Sequence, residues 1–267
     1  MIKIAVTGAA GRMGKTIIQS IEGSSLTKLS GAIELEGHLL IGKDAGPVAG
    51  LDKLGVDITA DSELAFKEAD VVIDFSAPGA SIKNIEMAAE LKKAIVVGTT
   101  GFSSEHREKI KELSEGARVV VAPNMSIGVN VLLKLVTEAA SVLGDAYDVE
   151  IIEAHHRHKA DAPSGTALRI AEVAASALGR DLEKTAVYAR KGIIGERTTE
   201  EIGIQTIRAG DIVGDHTILF GGDGERIELT HRAHSRSTFA NGAVRAAIWL
   251  AKKDNGLYDM QDVLGLK

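Results

Sequence analysis

Residues 153–166 read Glu-Ala-His-His-Arg-His-Lys-Ala-Asp-Ala-Pro-Ser-Gly-Thr, and five of them in a row, His155, His156, Arg157, His158 and Lys159, can carry positive charge. On a chain of net charge -6 such crowding calls for an anion, because like charges repel and a solvated turn has no need of three histidines. An imidazole gives or takes a proton near neutrality, while a lysine supplies charge and a proton together. If one strand runs through His155 and His156, alternation sends them to opposite faces and they do not share a role. Ser164 then fits the N-cap of an apolar-periodic helix through Ala167, Ile170, Val173, Ala174 and Ala177. Its first N–H groups, at Gly165 and Thr166, can hold one carboxylate while the cations hold a second. Two plainer readings compete: a solvated turn before a well-capped helix, and a zinc site built from His155, His156 or His158. Zinc needs three or four convergent ligands, and neighbours on a strand diverge.

A second constellation opens the chain. Gly8-Ala9-Ala10-Gly11-Arg12-Met13-Gly14 follows an apolar run and precedes a helical pattern. Glycines permit a tight turn and close backbone approach to a pyrophosphate, and the helix start offers free N–H groups and its positive dipole end. The spacing is G-x-x-G-x-x-G, with Ala9 where the strict dinucleotide pattern wants glycine. Glu34, twenty residues past Gly14 at the end of the second expected strand, supplies the acid that accepts hydrogen bonds from the adenine ribose. The plain alternative is an ordinary strand-to-helix turn and a surface glutamate. Leu35 and Glu36 offer no cation to a 2′-phosphate, so NADH is favoured; NADPH stays possible through His38 or Lys43.

The elements that must position these groups alternate. Strands are expected over 2–6, 29–33, 71–75, 95–98 and 119–122, with helices over 14–22, 62–68, 81–92 and 104–115. Near-continuous apolar strands between helices predict a doubly wound, Rossmann-like parallel α/β sheet, ligands lying along its C-terminal edge. After a helix over 129–143 come strands over 148–155, 203–209, 216–221 and 226–233, with one helix over 166–178. That second α+β domain should carry a mixed or antiparallel sheet, residues 221–224 closing a hairpin. The expected domains are 1–126 for the dinucleotide and 127–235 for substrate and oligomerisation, with 236–267, including a helix over 239–251, returning to the first.

Composition sets outer bounds. The 267 residues are 45% hydrophobic and 25% charged, ordinary for a compact globular protein. Absence of cysteine removes disulfides, thiolate metal sites and a cysteine nucleophile. The acidic balance argues against nucleic acid as a general partner. No secretion signal and no unbroken apolar run near the roughly 20 residues of a membrane span are visible, so a soluble cytoplasmic protein is expected.

Three further segments, Gly98-Thr99-Thr100-Gly101-Phe102, Ala209-Gly210-Asp211-Ile212-Val213-Gly214 and Thr238-Phe239-Ala240-Asn241-Gly242-Ala243, join the run from Glu153 through Ala167. With them the chain resembles the dihydrodipicolinate reductase family over nearly its full length. The resemblance implies NAD(P)H-dependent reduction of the cyclic dicarboxylate 4-hydroxy-tetrahydrodipicolinate, on the route to diaminopimelate and lysine. It implies that Gly8, Ala9, Ala10, Gly11, Arg12, Met13, Glu34, Gly98, Thr99, Thr100, Ala122, Pro123, Asn124 and Met125 contact the dinucleotide. His155 matches the family's proton donor and acceptor, Lys159 its second proton donor, and His156, Gly165 and Thr166 the groups that hold the substrate carboxylates. No metal is implied. The family is typically a homotetramer whose substrate domains pair their sheets. Leu35 departs from members that place arginine after the ribose-binding acid. The rival readings are a non-catalytic NAD-sensing regulator, a related amino-acid-type dehydrogenase and a metal-assisted hydrolase.

Overall fold

Short β-branched runs alternating with amphipathic helices fold, in a computed structural model that describes all 267 residues, into two compact units. The first comprises Met1–Ile127 with Arg236–Lys267, the second Gly128–Ser235.

In the first unit, strands β1 (Ile2–Thr7), β2 (Thr27–Ile33), β3 (Ile58–Thr59), β4 (Val71–Asp74), β5 (Ala94–Val97), β6 (Arg118–Val121) and β12 (Gly256–Tyr258) form one sheet in the order β12-β6-β5-β4-β1-β2-β3. Every neighbouring pair is parallel. The chain leaves β1 in one direction for β2 and β3, then returns to the other side with β4, so the switch point falls between β1 and β4. Both faces are covered. Helices α1 (Arg12–Glu22), α9 (Ser237–Leu250) and α10 (Met260–Leu264) set Ile17, Ile18, Ile21, Val244, Leu250 and Met260 against Ile4, Val6, Ile73 and Val96. On the opposite face α3 (Ser62–Glu68), α4 (Pro78–Glu90) and α5 (Ser104–Ser114) pack Phe66, Ile85, Ala88 and Ile110 on Ala5, Val72, Ile95 and Val97. Burial on both sides is why these strands read as unbroken apolar runs. A short helix, α2 (Ala45–Val48), is capped by the Asp44 carboxylate.

Several elements of this unit differ from the sequence reading, which has no α2 or α10. β3 and β12 are two and three residues long, too short for a period to show, and both sit at sheet edges. Helix α4 begins at Pro78, earlier than expected; proline there gives up an N–H that a first turn would leave unpaired.

The second unit holds α6 (Ile127–Leu143), β7 (Asp148–His155), α7 (Gly165–Ala177), α8 (Leu182–Thr185), β8 (Ala186–Val187), β9 (Ile202–Arg208), β10 (Gly214–Gly222) and β11 (Glu225–Ala233). Its sheet runs β11-β10-β7-β9-β8 and is mixed: β10 is antiparallel to both neighbours, whereas β9 is parallel to β7 and β8. Val149, Ile151, Ile204, Ile218 and Phe220 on one face meet Ile170 and Ala174 of α7 and Leu132 and Val136 of α6. The β10–β11 hairpin closes on Gly222 and Glu225, leaving Asp223-Gly224 as a two-residue loop with Gly224 at φ 84°. Residues Ile127–Ala146 are, by length and mean apolarity, enough to cross a bilayer, although polar residues break the run. Val129, Leu132, Val136 and Ala140 of that segment are buried in the protein, and Lys134 pairs with Glu138 at 2.9 Å.

Spacing is also tight under the first loop, where a Cβ on Gly14 would stand 2.1 Å from Gly8 O and 2.7 Å from Ala9 Cα. Backbone cannot yield as a side chain can. Gly14→Ala should destabilise the protein by about 1–3 kcal/mol and lower the calorimetric midpoint by roughly 2–4 °C for each kcal/mol. Gly79→Ala in α4, where a Cβ meets nothing within 4 Å, is the control and should leave the midpoint unchanged or slightly raised. Equal midpoints for the two variants would show that the loop is not held this closely.

Candidate active site

Alternation along β7 puts Val149, Ile151, Glu153 and His155 on its buried face. The strand thus carries apolar residues into the core and ends, on the same face, in a carboxylate and an imidazole. Glu153 has no exposed surface, and an unpaired ion there would cost several kcal/mol. It is fully engaged instead. Arg208, aligned with His155 across the parallel pair β7–β9, donates through Nη1 to Glu153 Oε2 (2.8 Å) and through Nη2 to Oε1 (2.9 Å). The Ser164 N–H (3.0 Å) and the Thr206 hydroxyl (3.2 Å) also donate to Oε1, and His155 Nδ1 lies 2.6 Å from Oε2. Burial works against the Glu153 charge, but the Arg208 guanidinium, His155 and the Ser164 N–H outweigh it and hold the carboxyl below the usual carboxylate range.

Arg208 also donates to Asp161 O at 2.6 Å, and the Asp161 carboxylate holds Lys159 Nζ at 2.8 and 2.9 Å. One guanidinium therefore ties the strand end to the loop that carries the lysine. The Lys159 ammonium keeps the Asp161 carboxyl below its ordinary value.

His216 faces Glu153 across β10 and meets the His155 ring edge-on, centroids 5.1 Å apart at 75°. Its Nε2 is 3.0 Å from Ser164 Oγ, whereas buried Nδ1 has no partner. Burial, followed by the neighbouring His155, pushes His216 down to about 3, so it is neutral at physiological pH. Gly214 leaves the flank of His155 bare: a Cβ there would lie 3.1 Å from Nε2.

β7 stops at His155, so the half-buried His156 falls in the following turn and strand alternation does not govern it. That turn closes with Lys159 N–H donating to His156 O at 3.1 Å, and the His156 and His158 rings stand 6.2 Å apart. Ser164 caps α7 by accepting from Ala167 N–H at 3.1 Å, with Gly165 and Thr166 forming the first helical positions. No group of three or more His, Asp or Glu side chains is disposed to hold a metal ion. Glu153, Thr206, Arg208 and His216 had drawn no role from the sequence. Glu153 was findable, since a residue two before a strand histidine shares its face. Arg208 and His216 come into place only through sheet register.

In the first unit the residues expected at the dinucleotide gather at the C-terminal edge of the parallel sheet. Gly8, at φ 63°, turns the chain after β1; Gly11 N–H donates to Gly8 O, and α1 starts at Arg12 with no side-chain cap. Glu34 follows β2, and its Oε1 accepts Ala10 N–H at 2.8 Å, so the acid and the glycine loop do meet. Ala9 is buried, Ala10 and Met13 half-buried, Arg12 and Leu35 exposed. A Cβ on Gly98 would fall 2.2 Å from the Phe75 ring. Thr99 is buried, accepting Ser76 N–H (3.1 Å) and the Ser81 hydroxyl (2.8 Å), while Thr100 is exposed. After β6, Ala122 N–H donates to Val97 O, Pro123 is exposed, Asn124 Oδ1 accepts Ser126 N–H and Met125 is buried. An uncapped helix start, a loop that a Cβ would fill, and an acid beside it fit a nicotinamide dinucleotide.

Two sequence models of one family match in order: dihydrodipicolinate reductase, N-terminus, over residues 2–125, and dihydrodipicolinate reductase, C-terminus, over residues 128–264. The 4-hydroxy-tetrahydrodipicolinate reductases of Geotalea uraniireducens and Syntrophotalea carbinolica are each 55% identical over 267 residues, all of this chain and all of theirs. A dipicolinate-bound dihydrodipicolinate reductase from a Paenisporosarcina species is 26% identical, with a TM-score of 0.75 over 98% of either chain. The amine dehydrogenase of Mycobacterium smegmatis, 12% identical with a TM-score of 0.60 over 96% of this chain and 94% of that one, shares the fold alone. With both halves matched in sequence and the whole length shared at this identity, the chain belongs to the dihydrodipicolinate reductase family.

Proposed function

We propose that the chain carries out its family's reaction, reduction of 4-hydroxy-tetrahydrodipicolinate to tetrahydrodipicolinate for diaminopimelate and lysine synthesis, in the cytoplasm, with NADH preferred and His155 and Lys159 managing protons. The observation that carries the site assignment is the buried Glu153–His155 pair ending β7 beside the capped start of α7.

Loss of the ring hydroxyl as water leaves a conjugated imine, to which a bound nicotinamide would supply the hydride. The protein's own groups do the rest. A relative bound to dipicolinate supports a small dicarboxylate as the substrate, and His156 and the backbone N–H groups of Gly165 and Thr166 hold its two carboxylates, as the resemblance implies. Negative charge grows on the ring as it is reduced, and positioned cations stabilise it more in a dry site than in water. His155 returns a proton through Nε2, and Lys159 supplies charge and the second proton source. On the other unit, residues 8–13 hold the pyrophosphate, Glu34 accepts from the ribose, and Gly98, Thr99, Thr100 and residues 122–125 contact the dinucleotide. Glu34 Oε1 accepts Ala10 N–H at 2.8 Å and Oε2 accepts Leu35 N–H more loosely at 3.4 Å, and the remaining lone pairs are the ones offered to ribose hydroxyls. Leu35 beside it is exposed and uncharged, the basis for preferring NADH. The chain assembles as a homotetramer through the sheet face opposite α7, where Ile152 and Ile207 lie exposed in adjacent strands.

Freshly prepared substrate, given each reduced nicotinamide in turn and followed by its absorbance, tests the reading directly; no turnover with either would refute it. His155→Gln should lower kcat by about 10²- to 10⁴-fold while NADH still binds. Unchanged turnover would remove His155 from the chemistry. Leu35→Arg should shift kcat/KM toward NADPH, and an unaltered ratio between cofactors would overturn the ribose assignment. Sedimentation equilibrium should give four times the 28.1 kDa chain mass; a monomer or dimer at micromolar concentration would exclude the tetramer.

A further inference from the structure

We propose that Glu153 is a positioning residue for His155, fixing a proton on Nδ1 in every state of the ring so that Nε2 alone exchanges protons with substrate. This deepens the reading of His155 as the proton-transfer group and rests on it.

The case begins with donors and acceptors. Glu153 is surrounded by groups that only donate at this contact: two guanidinium nitrogens of Arg208 and the backbone N–H of Ser164, with the Thr206 hydroxyl added. Guanidinium and backbone N–H groups cannot accept. The carboxylate must accept from them, and it is held charged, so it has no proton to offer the imidazole. Across the 2.6 Å contact Nδ1 is therefore the donor. A neutral ring with its hydrogen on Nδ1 has its lone pair on Nε2. That nitrogen makes no hydrogen bond within the protein and lies on the side left bare by Gly214.

The surroundings sharpen the same arrangement. His216, edge-on to the ring, is neutral and adds no competing charge. Ser164 joins two functions: its N–H donates to Glu153 while its hydroxyl caps α7 and meets His216. The orientation of the imidazole and the placement of the Gly165–Thr166 helix start are thus set by one residue pair. A purely structural ion pair stitching β7 to β9 would require Glu153 to meet Arg208, but not to receive the His155 proton.

The test has a spectroscopic and a kinetic arm. In the native enzyme labelled with ring-¹⁵N histidine, the His155 signals are assigned by their loss in His155→Gln. The neutral ring should show its hydrogen on Nδ1 and a lone pair on Nε2; a neutral ring carrying its hydrogen on Nε2 overturns the proposal without any change at Glu153. In Glu153→Gln the side-chain amide can donate to Nδ1 and admit the opposite tautomer. Its kcat should fall by about 10²- to 10⁴-fold, the range for a proton-transfer group lost or held in the wrong tautomer, with substrate KM and NADH affinity moving less than about 3-fold. Glu153→Asp should keep the Nδ1–H signature and recover part of the lost turnover. Full activity of Glu153→Gln beside an inactive His155→Gln rejects this inference and leaves the His155 reading standing. Full activity of both rejects that reading too. A Glu153→Gln protein whose loss lies wholly in substrate KM, with the tautomer unchanged, assigns Glu153 a structural role. If Glu153→Gln does not fold, the native spectrum decides.

Discussion

A carboxylate with none of its surface in water, Glu153, is the constraint around which the end of β7 is built. Stripping a buried carboxylate of its partners costs about 3–5 kcal/mol, so the chain must deliver enough donors to one point. It does so from three separate stretches. The parallel register of β9 brings Arg208 and Thr206, the loop before α7 brings the Ser164 N–H, and β7 itself brings His155 two residues on. Two of these residues are committed elsewhere as well: Arg208 to Asp161 O and Ile207 O, Ser164 to the helix cap and His216. Satisfying one ion therefore orders the strand end, the Lys159 loop and the start of α7 together.

The first unit meets a similar demand without a cation. Asp74 is fully buried at the end of β4 and accepts from Thr7 and Ser81 hydroxyls, from Ser76 Oγ at 2.7 Å, from Asn84 Nδ2 at 3.0 Å and, more loosely, from Thr99 Oγ1 at 3.4 Å. Thr7 and Asp74 lie in register across β1 and β4, at the switch point. The hydroxyl network reaches from there to Thr99 beyond β5. Buried carboxylates at strand ends thus brace the loops of both units, with hydroxyls where the expected ligand is a dinucleotide and a guanidinium where it is a dianion.

Local pattern made much of this legible. The glycine loop, Glu34, the alternation of strand and helix, and Ser164 as a cap all depend on contacts between residues close in sequence or on a period that one segment displays by itself. Edge strands of two or three residues, β3 and β12, display no period. Arg208 stands opposite His155, and His216 opposite Glu153, because of pairings between segments 53 and 63 residues apart, which no single window contains. Lys159 reads as a free cation from composition, yet Asp161 two residues later claims it. Hydrophobicity also hid Glu153: a glutamate within an alternating strand looks like surface until the phase of Val149 and Ile151 is carried forward to it.

That phase bears on the roles proposed for His155 and for the residues that follow it. β7 is the central strand of its sheet, hydrogen-bonded to β10 on one side and β9 on the other, and the ladder persists past its end through Ala209 N–H to His155 O. A group whose work depends on sub-ångström placement belongs there, where backbone on both flanks and a buried carboxylate fix its ring. The groups from His156 to Lys159 sit in the turn after β7, where Arg157 N–H still donates to Gly210 O at 3.2 Å, and Coulombic stabilisation tolerates more displacement than a hydrogen-bonded proton path does. The strand boundary between His155 and His156 separates an imidazole bound at Nδ1 to Glu153 from a half-buried one in the following turn. Glu153 is matched by Arg208 and Asp161 by Lys159, each at 2.8 Å, so the carboxylate at the strand end and the one in the turn beyond each have a cation of their own.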